Sequence, residues 1–168
     1  PKGSKQEKAF IRLVVTFVTL VKSSCKTVKE VLKQAKNADD ERSVFIIKNI
    51  FQPVYERYIN ALSDSNQIDF TDAILQATEI CRTSHPVEYD YIIVDEFQDI
   101  SVDRYNFLKV LREGNPPAKL YCVGDDWQSI YRFSGSDMAL FNQFSEYFGA
   151  TEINKIETTY RFGEPLVS

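Results

Sequence analysis

The chain is poor in the residues that do covalent and metal chemistry. Its 168 residues hold three cysteines, one histidine, one tryptophan and one methionine. Cys25, Cys81 and Cys122 are far apart and form no CxxC pair, which argues against a disulfide scaffold or a structural zinc site. They read as reduced, buried thiols of a cytosolic protein. Long apolar runs are also missing. The first, FIRLVVTFVTLV from Phe10, is broken by Arg12 and is too short to span a bilayer. No signal peptide is visible, so the expectation is a cytoplasmic protein with no membrane partner. Excess positive charge is absent as well. The net charge of -4 does not call for nucleic acid, but a local basic groove can sit on an acidic protein. The chain lacks an initiator Met and stops on GEPLVS soon after a charged motif, so an excised fragment is expected.

What is present suits one globular domain. Hydrophobic residues make up 43% and charged residues 26%, enough to build a core. Residues 7–36 place Phe10, Leu13, Phe17, Leu20, Val21, Val28, Val31, Leu32 and Ala35 near helical spacing, although the β-branched density of 14–19 also fits a strand. A second helix fits 43–63, with Pro53 expected to kink or restart it. A third fits 72–82, capped by Thr71 or Asp69. The pattern then changes. Tyr91–Val94 is a short apolar strand, 101–114 an amphipathic helix, 119–126 a second strand ending in carboxylates, 137–148 a helix, and 151–162 starts as a strand. Residues 89–162 therefore read βαβαβ, which requires a parallel sheet with right-handed crossovers.

Both of the first two strands end in acids, Asp95-Glu96 and Asp125-Asp126. Ligands of parallel α/β sheets sit at the carboxyl ends of the strands. Adjacent carboxylates repel, so a site built this way expects a cation. Asp95 suits a Mg²⁺ ion that keeps much of its hydration shell, and Glu96 suits the orientation and polarisation of an attacking water. Read singly, the same acids also serve as caps or solvated turn residues.

The stretch IIVDEFQD resembles motif II, the Walker B element, of the UvrD/Rep family of superfamily 1 DNA helicases. VGDDWQSIYRFSGSD (123–137) resembles their motif III, TTYRF (158–162) their motif IV, and IDFTDAI (68–74) the element that precedes motif II. The Trp of GDDWQ and the wording YRFSGSD most resemble the helicase IV branch. The resemblance covers nearly the whole chain. It implies an α/β fold: a partial RecA-like P-loop NTPase core over 89–168, preceded over 1–88 by a helical region like the subdomain inserted in the first motor domain. It implies that Asp95 helps hold Mg²⁺ and that Glu96 activates water for ATP hydrolysis. Gln98 and Asp99 would brace motif II and link it to motif III. Gln128 would sense the γ-phosphate, and Arg161 would act on it as an arginine finger. Tyr131 and Phe133 would stack on bases of single-stranded DNA, with Arg132 meeting a phosphate. Where many members carry an arginine after the motif III aromatic, this chain has Ser134, so the role of that arginine does not transfer.

Each residue also has a plainer reading. Tyr131 and Phe133 are packing aromatics, Gln128 a loop amide, Arg161 a surface ion pair, Asp69 and Asp72 caps, and His85 a loop residue. No GxxxxGK[ST] occurs anywhere in the chain. Without those phosphate-cradling amides and lysine, the expectation is an ATP-dependent 3′-to-5′ DNA helicase whose 168-residue piece alone is inactive and holds neither ATP nor Mg²⁺. The missing strand would leave open sheet edges and invite self-association. Two rival readings are a metal-dependent nuclease built on the five acids at 95, 96, 99, 125 and 126 and a non-catalytic helicase-like interaction module.

Overall fold

The computed structural model describes residues 3–84, 88–128 and 135–156. The described chain is α/β and mostly helical. The N-terminal apolar run is helix throughout, with no strand at 14–19. It forms two helices rather than one, α1 (Lys5–Ser23) and α2 (Val28–Asn37). The break falls at Cys25, which has φ 54°. Thr27 then starts α2 with a capping box: its hydroxyl accepts Glu30 N–H while the Glu30 carboxylate accepts Thr27 N–H.

The expected helix at 43–63 is one rod made of three pieces. α3 (Glu41–Ile46) runs into a single π-helical turn (Ile47–Phe51) and then α4 (Gln52–Asp64). Pro53 sits at the start of α4. It has no N–H for a carbonyl one turn earlier, and the local widening to π spacing is how the rod continues past it. Phe51 of that turn stacks on Phe17 of α1 with ring centroids 4.2 Å apart. Val21, Val28, Ile47 and Phe51 form the core of this helical part. α5 (Phe70–Thr83) is capped by Asp69 in a second capping box with Asp72.

Strands β1 (Tyr91–Val94) and β2 (Lys119–Cys122) pair in parallel, Tyr91 opposite Lys119 and Val94 opposite Cys122. α6 (Val102–Gly114) is the crossover between them and packs on α5. Its N-cap is Ser101, but the hydroxyl donates to the Asp103 carboxylate instead of capping a backbone N–H. The main core lies under the sheet: Ile92, Phe97, Ile100, Leu108, Ala118, Leu140 and Phe148. On the other face Tyr91, Ile93 and Tyr121 are 63%, 71% and 60% exposed, although parallel sheets are ordinarily covered on both faces.

Three expectations need correction. The 119–126 strand stops at Cys122, so Asp125 lies in the following turn. The 137–148 helix is split at Gln143 into α7 (Met138–Asn142) and α8 (Phe144–Phe148), which fold the aromatics Phe141, Phe144 and Phe148 around Phe97. The βαβαβ reading needs a third strand, and 151–156 has no regular structure, while 157–162 lies outside the described residues. The described sheet therefore has two strands. The thiols also differ from expectation. All three are free, but Cys25 is exposed at the α1–α2 break, and Cys81 and Cys122 are half-buried.

A buried ion cluster ties the helices together. Lys22 is only 5% exposed at the end of α1. Its Nζ lies 2.6 Å from Asp69 Oδ2 and 2.6 Å from Asp72 Oδ1, and Tyr58 of α4 donates to the same Asp69 oxygen at 2.8 Å. Burial works against the lysine's charge, but the two carboxylates outweigh it and raise its pKa. Burial likewise opposes the Asp69 charge. The hydrogen bonds from Lys22, Asp72 N–H and Tyr58 prevail and lower its pKa. Asp69 and Asp72 are thus caps, as their spacing indicates, and they are also the counter-charges of a lysine 47 residues away from Asp69.

Candidate active site

Two loops meet at the carboxyl ends of β1 and β2. The first runs through Asp95 and Glu96 into a 3₁₀ turn, Phe97–Asp99. The second runs from Val123 into a 3₁₀ turn, Asp126–Gln128. The sheet hydrogen bonding carries on past the strands. Val123 N–H donates to Val94 O at 2.9 Å and Phe97 N–H donates to Val123 O at 2.8 Å. The loops are thereby held in fixed register.

Gln98 joins them. It is 1% exposed. Its Nε2 donates to Glu96 Oε2 at 2.5 Å, and its Oε1 accepts Asp125 N–H at 3.0 Å. Asp125 in turn organises its own loop. Oδ1 accepts Trp127 N–H at 3.1 Å and Oδ2 accepts Gln128 Nε2 at 2.7 Å. A continuous path therefore runs Glu96–Gln98–Asp125–Gln128. Gly124 permits the approach. A Cβ there would lie 2.7 Å from Gln98 Oε1 and 2.8 Å from a Phe141 ring carbon. Only glycine lets the second loop close on the amide, a requirement the sequence signalled only as a Gly between strand and acids.

Glu96 is held in the left-handed region, φ 51° and ψ 41°, which a non-glycine residue adopts at a cost of roughly 1–2 kcal/mol. The conformation turns the chain sharply, so that Phe97 and Gln98 enter the core while Asp95 and Glu96 stay exposed. Asp95 uses Oδ1 to accept Glu96 N–H at 2.9 Å, and its Oδ2 carries no hydrogen bond among the described residues. One open carboxylate with a free oxygen fits a Mg²⁺ ion that keeps most of its waters, and does not fit a cation caged by protein oxygens. Among the described residues Asp99 Oδ1 is buried without a hydrogen-bond partner, an orphan acceptor of a kind that is rare in folded proteins.

Four expected site residues, Asp95, Glu96, Gln98 and Gln128, are thus brought to one place. Tyr131, Arg132, Phe133 and Arg161 lie outside the described residues, as does His85. Among the described residues no three His, Cys, Asp or Glu side chains come together as a metal-holding group. The Asp125 carboxylate is already spent on its own turn.

Residues 4–149 match the UvrD/REP helicase N-terminal domain. The chain belongs to the UvrD/Rep helicase family. It is 43% identical over 118 residues to DNA helicase IV of Escherichia coli (strain K12), a stretch covering 70% of this chain and 17% of that protein. Over 132 residues it is 33% identical to a probable DNA helicase II homolog of Rickettsia conorii, covering 73% and 19%. It is 33% identical over 117 residues to the ATP-dependent DNA helicase Rep of Buchnera aphidicola, covering 66% and 18%. The chain thus spans less than a fifth of the length of these UvrD/Rep relatives. None of the described helices is long and apolar enough to cross a membrane.

Proposed function

We propose that this chain forms one wall of the Mg²⁺–ATP site of a DNA helicase that moves 3′-to-5′ along single-stranded DNA. The observation that carries the reading is the Gln98 bridge, one buried amide bonded both to the Glu96 carboxylate and to the backbone of the Gln128 loop. Such a bridge gives a means by which occupancy at the acids moves the segment that follows Gln128. In this reading 89–168 contributes part of a RecA-like motor domain with motifs II to IV, and 1–88 a helical subdomain inserted in it.

Asp95 would hold a hydrated Mg²⁺ through its open oxygen. When bound, the magnesium neutralises charge on the β- and γ-phosphates. Glu96 stands one residue further, exposed, with Oε2 anchored by Gln98 and Oε1, which carries no hydrogen bond among the described residues, placed to accept a proton from water as general base. Gln128 is poised on the Asp125 carboxylate and reaches the γ-phosphate by exchanging that bond. Arg161 supplies positive charge to the transition state. Tyr131 and Phe133 grip bases by stacking, and Arg132 grips a phosphate.

The phosphate-cradling loop is not among these 168 residues, so the chain by itself neither hydrolyses ATP nor unwinds DNA. The test has two parts. The coding sequence upstream of Pro1 should encode GxxxxGK[ST], and the complete gene product should unwind a duplex with a 3′ single-stranded tail in the presence of Mg²⁺ and ATP. Absence of that loop, or unwinding of 5′-tailed substrates only, contradicts the proposal.

A further inference from the structure

The segment between Gln128 and Gly135 carries Tyr131, Arg132 and Phe133, and both of its flanks are tied to one short stretch, 96–101. On the near side Gln98 Oε1 accepts Asp125 N–H at 3.0 Å. On the far side Asp137 N–H donates to Ile100 O at 2.9 Å, and Ser136 pairs antiparallel with Ser101. The far anchor rests on a side-chain pair that the nucleotide site does not use. Ser101 and Asp103 are 2% and 3% exposed, and the Ser101 hydroxyl donates to the Asp103 carboxylate. Among the described residues no Lys or Arg pairs with that carboxylate. Burying an anion without a counter-charge is costly. Two effects offset the cost here: the charge-assisted bond from Ser101, and a place in the first turn of α6, where the helix dipole favours negative charge. With its hydroxyl directed forward to Asp103, Ser101 is held extended, φ -107° and ψ 166°, the conformation in which a residue pairs with a neighbouring segment.

We propose that Ser101 and Asp103 are positioning residues that fix the far end of the Tyr131–Phe133 segment, so that the stretch 96–101 holds both of its flanks and displaces them together. The inference rests on the DNA-helicase reading above, and it names how the loop of the acids steers the residues that grip single-stranded DNA. Tied only at Asp125, the segment would swing about one attachment when Gln98 shifts. Tied at Ser136 and Asp137 as well, it is carried as one body, because both attachments belong to the same packed turn.

Amide hydrogen exchange, followed by ¹H–¹⁵N NMR on the 168-residue chain, reads the anchor with no nucleotide or DNA present. In Ser101→Ala the Asp137 N–H should exchange about tenfold faster, the effect of losing one hydrogen bond to a charged group. Asp125 N–H, held by Gln98, should keep its protection. Asp103→Asn, whose amide oxygen still accepts the hydroxyl, should stay within about threefold of the wild-type rate. Ser101→Cys, a weaker donor of similar shape, makes the same test should the alanine variant not fold. The complete gene product reads the consequence. In Ser101→Ala the single-stranded DNA concentration that half-maximally stimulates ATP hydrolysis should rise about threefold or more, since the segment is competent for only part of the time. KM for ATP should not change, and Asp103→Asn should resemble wild type. Unchanged Asp137 exchange in Ser101→Ala overturns the proposal. So does equal loss of protection at Asp125 and Asp137, which marks general loosening. A fall in kcat with the DNA requirement unchanged also overturns it, marking a merely structural role. A complete gene product without DNA-stimulated ATPase sinks the helicase reading instead, and the anchor is then judged by Asp137 exchange alone, so the two failures are distinguishable.

Discussion

The Gln98 side-chain oxygen accepts the backbone N–H of Asp125 at 3.0 Å across 27 residues of sequence, and the same amide donates to Glu96. Both partners of this amide are in loops, yet Gln98 itself is fully buried. Replacing Gln98 by Ala leaves the Asp125 N–H unpaired and the amide pocket empty. Asp125 is exposed, so water can take over its N–H and the lost hydrogen bond costs about 0.5–1.5 kcal/mol. Urea unfolding of Gln98→Ala should show a lowered midpoint with an unchanged m-value. Gln98→Glu, which places a second carboxylate against Glu96, should be at least as destabilising at neutral pH and should recover at low pH.

Lys22 makes a second, independent prediction. Removing one partner of a buried charge cluster strands the others, at a cost of about 3 kcal/mol here because Asp69 and Asp72 remain partly solvated. Thermal unfolding of Lys22→Met should report that loss. The pH dependence follows from the directions of the shifts. Asp69 is depressed below its ordinary 3.8, so its contribution is present above that value and is lost as pH falls through the lowered pKa. Lys22 is raised above 10.5, so its contribution is present below that value and is lost as pH climbs through the raised pKa. The stability difference between wild type and Lys22→Met should therefore be flat between these limits and shrink outside both.

Gly135 is the third test. Its φ is +94°, and a Cβ there would lie 2.2 Å from Ser23 Oγ at the end of α1. The adjoining residues are tied to the acid loop, Asp137 N–H donating to Ile100 O at 2.9 Å, with Ser136 bridged to Ser101. Gly135→Ala should lower stability by about 1–3 kcal/mol from backbone strain, read by thermal melt. Ser23→Gly/Gly135→Ala should recover only the steric share, not the strain.

The thiols give a fourth. Burial pushes Cys122 up to about 12, and the thiolate is the reactive form. Cys25 is exposed, its thiol also raised, first by burial and with the Asp103 charge adding. Iodoacetamide labelling at neutral pH, mapped by mass spectrometry, should modify Cys25 well before Cys122. The reverse order would contradict the packing of β2.

Much of the site was legible in the sequence because it is carried by local pattern. A four-residue apolar run stopping at Asp95-Glu96 marks a strand end, and the parallel partner with its own acids follows one helix later. The cap at Asp69 is a spacing rule within a single turn. What escaped is non-local or concerns how the chain bends. Nothing near Lys22 in sequence indicates that its counter-charges lie 47 and 50 residues away. Pro53 marks an interruption, but whether a rod kinks or widens to π spacing depends on Phe51 finding Phe17. The α7–α8 break at Gln143 follows from wrapping Phe141, Phe144 and Phe148 about one ring, Phe97. The need for glycine at 124 appears only when Gln98 arrives beneath it.

The central claim is that Glu96 is the general base of an ATP site whose other wall lies outside these residues. The direct measurement is single-stranded-DNA-stimulated, Mg²⁺-dependent ATP hydrolysis by the complete gene product, wild type against Glu96→Gln. Loss of the general base should lower kcat by about 10²–10⁴-fold while nucleotide binding persists, because Asp95 is untouched. A Glu96→Gln protein that hydrolyses ATP at the wild-type rate contradicts the account, as does magnesium-dependent ATPase of the 168-residue chain alone.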